Sequence, residues 1–248
     1  MGHGALLDRL SADRRDVLEE FGQTLEPVFG ADLLSASAFG GWLAGDPFYA
    51  DAPARTVLVL RRIDLDALEQ LAAEGVRLGQ RGLAAPLIMT PAYIAASRDV
   101  FPLELLEIQQ LHVMLRGEDH YAELQFDRAD VRLACERELK SELIQMRQGL
   151  LAAAGLPEPL HAVCMQCAER SLRILRGVLW LKGERPAPAH AAALISRAAE
   201  LTRLALPTHE RLVSYSDDPA AGEYYRSLYA EIDALATAMD ADGSQPAA

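Results

Sequence analysis

The run Thr56 to Leu60, TVLVL, constrains the fold more than any other stretch of the chain. It is β-branched at three of its positions, short and almost wholly apolar. A run of that kind reads as a strand buried on both faces, covered on either side by other elements. Pro86 to Thr90, PLIMT, reads as a second buried strand. Leu33 to Ala38 is a third candidate and runs into the turn Gly40-Gly41. Leu111 to Leu115 and Tyr121 to Phe126 are two more, separated by the turn Gly117-Glu118-Asp119. Phe101 to Ile108 alternates or runs apolar around Glu104 and Glu107.

Helical periods lie between these runs. Leu10, Val17, Leu18, Phe21, Leu25 and Val28 recur at spacings of mostly three and four, with Ser11 placed to cap and Gly30 to stop the helix. Asp64 caps a helix carrying Leu65, Leu68, Leu71 and Val76 on one face, and Pro91 opens a short one. Residues 44–55 carry Gly45, Pro47 and Pro53 and read as a loop.

Near residue 128 the period changes. Leu133–Ala154, Leu160–Lys182, Ala189–Leu206 and Ala220–Met239 are four helical patterns punctuated by prolines, with no strand signal among them. The expected organisation is an α/β domain over 1–128, an all-α helical bundle over 129–240 and a disordered tail over 241–248.

Composition narrows the function. The chain has 248 residues and a net charge of −12, which disfavours non-specific nucleic-acid binding. Half of that charge lies between Ser216 and Ala248, where seven acids face one base. That segment reads first as a packed final helix with an acidic outside; a helix that blocks or mimics a nucleic-acid phosphate path is the sharper alternative. Three cysteines make no disulfide framework. No apolar run approaches the ~20 residues needed to cross a bilayer, and Met1–Leu10 holds no apolar core of signal-peptide length. A soluble, cytoplasmic protein without membrane contact is the expectation.

The order helix, strand, glycine turn, strand, helix, strand, short helix, strand resembles the nucleotidyltransferase fold. PLIMTPAYIAASRDVFPLELLEIQ (86–109), HVMLRGED (112–119) and RLACERELKSEL (132–143) look like bacterial nucleotidyltransferase-like proteins with a helical C-terminal domain. The resemblance implies an α+β domain with a mixed sheet. It also implies a Gly-Ser pair after the first strand to hold phosphates, an Asp-x-Asp at the second strand, and a third carboxylate later. Such carboxylates hold two divalent cations that activate the nucleophile and neutralise phosphate charge.

SASAFGG (35–41) stands in the Gly-Ser region, where Ser35 or Ser37 offers a hydroxyl and Gly40 and Gly41 offer flexible backbone for a nucleotide. The Asp-x-Asp stretch reads Ala54-Arg55-Thr56, with no carboxylate, so no metal site is assigned. Glu104 or Glu107 stands for the third carboxylate. Asp46 and Asp51 are the remaining catalytic candidates if the loop folds back toward Glu104; as neighbours of Pro47 and Pro53 they read first as turn formers.

Other motifs have plain readings. Cys164-Met-Gln-Cys167 with His161 is a lone CxxC on a helix, and packing is favoured over zinc. Arg185 and His190 fit the R-x4-H spacing of helical ribonuclease domains, but with two prolines between them the stretch reads as a loop. His112 reads as partly buried in the sheet and His120 as a turn residue. Arg132, Glu136 and Lys140 read as a solvated or interdomain ion-pair face, and Trp180 as bundle core. The leading expectation is a catalytically degenerate nucleotidyltransferase-like protein, a pseudoenzyme that binds a nucleotide or a partner. One alternative is an active enzyme that uses Mg2+ and ATP to transfer NMP to a small molecule or protein. The other is an interaction protein with an empty cleft, homodimeric or partnered through its helices.

Overall fold

The computed structural model describes residues 10–214 and 223–243. The chain divides into two compact units, Met1–Arg98 with Leu105–Gln125, and Asp99–Glu104 with Phe126–Ala248. The architecture is mixed α+β.

The first unit opens with α1 (Ala12–Phe29). The Ser11 hydroxyl accepts from the Arg14 N–H at 3.4 Å, and Gly30 ends the helix. Val17, Leu18, Phe21, Leu25 and Phe29 bury one face. Four strands follow: β1 (Leu33–Phe39), β2 (Thr56–Leu60), β3 (Leu87–Met89) and β4 (His112–Gly117). Their order is β3-β2-β1-β4; β1 is antiparallel to β2 and β4, and β2 is parallel to β3, so the sheet is mixed. All five residues of β2 are buried. Between strands lie α2 (Leu65–Ala73), capped by the Asp64 carboxylate, α3 (Gly75–Gln80), α4 (Pro91–Ala96), capped by the Thr90 hydroxyl, and α5 (Pro102–Gln110).

Three strand expectations change. PLIMT shortens to Leu87–Met89 at the sheet edge, with Leu87 40% exposed, because β3 has a neighbour on one side only. Phe101–Ile108 forms α5, in which Leu103, Leu105, Leu106 and Ile108 are all buried. A helix buried nearly all round produces an apolar run that period does not separate from a strand. Tyr121–Phe126 is no strand. The Asp119 carboxylate accepts from the Tyr121 and Ala122 N–H groups at 2.8 and 3.1 Å. The Gln109 amide donates to the carbonyls of Tyr121, Ala122 and Leu124. These side-chain bonds take the place of a ladder.

The second unit holds α6 (Arg128–Ala153), α7 (Pro157–Leu181), α8 (Ala191–Thr202), α9 (Pro207–Ser214) and α10 (Tyr225–Gly243). α6 packs against α7 and α10, and α8 against α7 and α9. The bare backbone at Gly177 allows a close approach, since a Cβ there would lie 2.8 Å from the Cys135 sulfur and collide with Leu103. The pattern read as one helix over Ala189–Leu206 ends at Thr202, because Arg203 turns into the left-handed region at φ +59°, and a further helix, α9, starts beyond it at Pro207. Residues 241–243, assigned to a disordered tail, continue α10; residues 244–248, and Asp217 and Asp218 of the acidic segment, lie outside the described residues. Among the described residues no helix is long and apolar enough to cross a membrane.

Buried polar contacts tie the helices together. Glu231 of α10 accepts from the Thr208 and His209 N–H groups at 2.8 and 3.2 Å, and lies 2.7 Å from His209 Nδ1. Burial opposes its ionisation, but the bonds from His209 and Thr208 outweigh that and lower its pKa. Arg176 is buried and donates to the Pro188 and Ala189 carbonyls, which pins the loop before α8. At the surface Lys140 joins Glu136 of its own helix to Asp240 of α10, so the ion-pair face lies within this unit.

Glu142 behaves oppositely to Glu231. It is 2% exposed, and among the described residues its one hydrogen-bond donor is the Ser171 hydroxyl, at 3.4 and 3.3 Å from Oε1 and Oε2. Burial pushes its pKa up to about 8. The folded protein therefore holds this proton more tightly than the unfolded chain, and stability falls as pH rises from the ordinary carboxylate range through 8. At pH 7 the loss is roughly 3 kcal/mol. Glu142→Gln should raise the melting temperature at pH 7 and flatten its decline between pH 5 and 8; a wild-type melting temperature constant over that range would contradict this.

Candidate functional site

The corner where β1 ends carries the candidate site of the first unit. Phe39 N–H donates to the Arg55 carbonyl at 3.0 Å, and Gly40 N–H to the Leu111 carbonyl at 2.8 Å. Gly40 sits at φ +105°, a conformation that favours glycine. A Cβ there would lie 3.4 Å from Arg55 Nη1 and 3.7 Å from Glu107 Oε1. Arg55 Nη1 donates to Glu107 Oε2 at 3.4 Å, and its guanidinium lies over the Phe39 ring at 4.4 Å. The Glu107 side chain is 8% exposed and that of Arg55 is 36% exposed.

The loop that follows is strapped onto this corner. Arg14 of α1 donates to the carbonyls of Tyr49, Ala50 and Ala52 at 2.9, 2.7 and 2.9 Å, and stands over the Trp42 ring. Burial lowers the Arg14 pKa, and the nearby Asp51 carboxylate partly offsets it. The strap presses Tyr49 against Gly41, where an added Cβ would come within 2.5 Å of the phenol oxygen. The ring fills the space that a side chain at position 41 would use.

Each residue expected at the site has a definite place. Gly40 and Gly41 come together with Tyr49, Arg55 and Glu107. Ser35 and Ser37 are each 1% exposed, and the Ser35 hydroxyl is buried with no hydrogen-bond partner among the described residues. Ser37 faces the Tyr121 phenol, whose pKa burial raises. Asp46 precedes the 3-10 turn Pro47–Tyr49 and its side chain makes no cap hydrogen bond there. Asp51 is exposed beside Arg14. Both belong to the first unit, whereas Glu104 belongs to the second and pairs with Arg173 at 3.5 Å.

The residues of 54–56 do not fit the divalent cation that the resemblance implies. Ala54 is buried and bridges to Leu83, Arg55 is a cation, and the Thr56 hydroxyl is buried inside the strand. Hard cations take oxygen ligands, mostly carboxylates and carbonyls. Among the described residues no three His, Cys, Asp or Glu side chains gather to hold a metal.

The remaining motifs are placed as follows. Cys135, Cys164 and Cys167 are free and buried, and burial pushes the last two thiols up to about 11 and 12. Arg185 stands over the Trp180 ring at 4.0 Å, in the loop before α8. His112 is 2% exposed, with Nδ1 2.8 Å from the Ile108 carbonyl and Nε2 3.1 Å from Asp119. Burial opposes ionisation of Asp119, but the Tyr121 N–H and His112 outweigh it and lower its pKa. Arg14 and Tyr49 escaped sequence reasoning, since their partners are backbone groups some 35 residues apart or a bare glycine.

Compared with known proteins, the chain matches no family model and no curated protein.

Gly41→Ser, which would place a side chain against the Tyr49 ring, should destabilise the protein by about 1–3 kcal/mol through overpacking. Adding Tyr49→Ala should recover part of that loss in a double-mutant cycle measured by denaturant unfolding. Full additivity of the two substitutions would contradict the contact.

Proposed function

We propose that the chain is a nucleotidyltransferase-like protein that binds a nucleotide or a partner and does not transfer nucleotides. The observation that carries this is the Arg55–Glu107 ion pair beside Gly40. It places a cation, paired to the nearest carboxylate, in the stretch where the resemblance calls for metal-binding acids. Two-metal transfer needs carboxylates that hold cations about 3.5–4 Å apart. Here Glu107 is engaged by arginine and Glu104 by Arg173. Tyr49 over Gly41 supports the same reading, because the ring occupies the space that a side chain at position 41 would need.

The test is incubation with α-labelled ATP and Mg2+ or Mn2+, followed by separation of labelled products. No transfer of label is the expected result. Transfer abolished by Asp51→Ala or Glu104→Ala would establish the active alternative instead. Calorimetric titration with ATP should show binding indifferent to Mg2+; binding that requires the metal would overturn the reading.

A second reading, a protein partner or second copy held through the helical unit, is favoured by one surface. Leu133, Ile144 and Leu151 fall on one face of α6 and are 55%, 51% and 81% exposed. Sedimentation velocity should then show concentration-dependent association that Ile144→Glu removes; a monomer at all concentrations would count against a second copy on this face.

A further inference from the structure

Arg55 is held on two sides and open on the others. Glu107 takes one of its donors at Nη1, and Phe39 lies under the guanidinium plane. Nε and Nη2 have no hydrogen bond among the described residues, and the side chain is 36% exposed. An arginine that only completes an ion pair usually turns its fork onto the carboxylate in two parallel bonds. This one spends a single bond of 3.4 Å on Glu107 and leaves two nitrogens with free donors facing outward. The contact with the Phe39 ring, 4.4 Å from Cζ to the ring centre, and the bond to Glu107 restrain the guanidinium before any ligand arrives, which lowers the ordering cost of binding. The adjacent Gly40 carries no side chain, and a Cβ at that position would crowd Arg55 Nη1. The corner therefore offers a planar, permanently charged fork with bare backbone beside it, which suits an oxyanion.

We propose that the free edge of Arg55 is a phosphate-binding site that works without a metal ion. The guanidinium supplies the positive charge that a divalent cation supplies in enzymes of the fold this chain resembles. The ligand class is the phosphate of a nucleotide, so the inference rests on the nucleotide-binding reading above and names the group that performs it. Glu107 holds the fork in place and competes with the ligand for its charge. Removing Glu107's charge should therefore tighten binding, whereas removing Arg55 should weaken it. A merely structural ion pair predicts no such opposition.

The test is calorimetric titration of the full chain with ATP, pyrophosphate and inorganic phosphate in EDTA. Wild type should bind ATP, and pyrophosphate should compete for the same site. Arg55→Ala should weaken binding by about tenfold or more, and Arg55→Lys, which keeps charge but loses the fork, by a smaller factor. Glu107→Gln should bind at least as tightly as wild type. Melting curves of each variant separate lost binding from lost folding, and Arg55→Lys decides the matter if Arg55→Ala does not fold. ATP binding that is unchanged in the folded Arg55→Lys and Arg55→Ala variants would overturn this inference and leave the nucleotide-binding reading standing. No binding of ATP, pyrophosphate or phosphate by wild type would overturn both. Equal loss of melting temperature in Arg55→Ala and Glu107→Gln, with ATP affinity untouched, would mark the pair as structural and also overturn the inference.

Discussion

β1 is the strand on which the first unit depends. It is paired on both sides, to β2 and to β4, and Ser35 through Phe39 are buried. Its end is fixed by two backbone bonds, Phe39 to Arg55 and Gly40 to Leu111. Those bonds bring the start of β2 and the residues after α5 to one corner. Arg55 and Glu107, 52 positions apart in the chain, meet there because the ladder leaves them no other register. The strap of residues 47–52 then closes over the neighbouring glycine, held by Arg14.

At that corner a buried carboxylate meets a partly exposed cation. A buried carboxylate is costly unless paired. Arg55 compensates Glu107 with a single bond from Nη1. Its other guanidinium donors stay unspent among the described residues. The helical unit handles its buried acids in two ways. Glu231 is satisfied by helix N-terminal amides and His209 and stays ionised readily. Glu142 has Ser171 as its one donor, and burial favours its neutral form.

Much of the fold was legible because local signals agreed with the tertiary outcome. Ser11, Asp64 and Thr56–Leu60 did in the structure what their side chains and spacing favour alone. The misread elements share a cause. α5 is apolar on nearly every face, so its period was hidden. Tyr121–Phe126 has strand composition, yet Asp119 and Gln109 satisfy its backbone from side chains. The break before Pro207 depended on the left-handed turn at Arg203.

For the site, residue identity determined one thing: Ala54-Arg55-Thr56 holds no carboxylate, and no folding of that stretch supplies one. Only the tertiary structure decided what surrounds the stretch. Glu107 rather than Glu104 faces the corner, since on α5 the two lie three residues apart and join different neighbours, Arg55 and Arg173. Ser35 and Ser37 turn inward because pleat alternation on a doubly paired strand leaves their side of the sheet covered. Tyr49 reaches Gly41 through a loop whose path is set by Arg14, a contact between a side chain and distant carbonyls that no local pattern encodes.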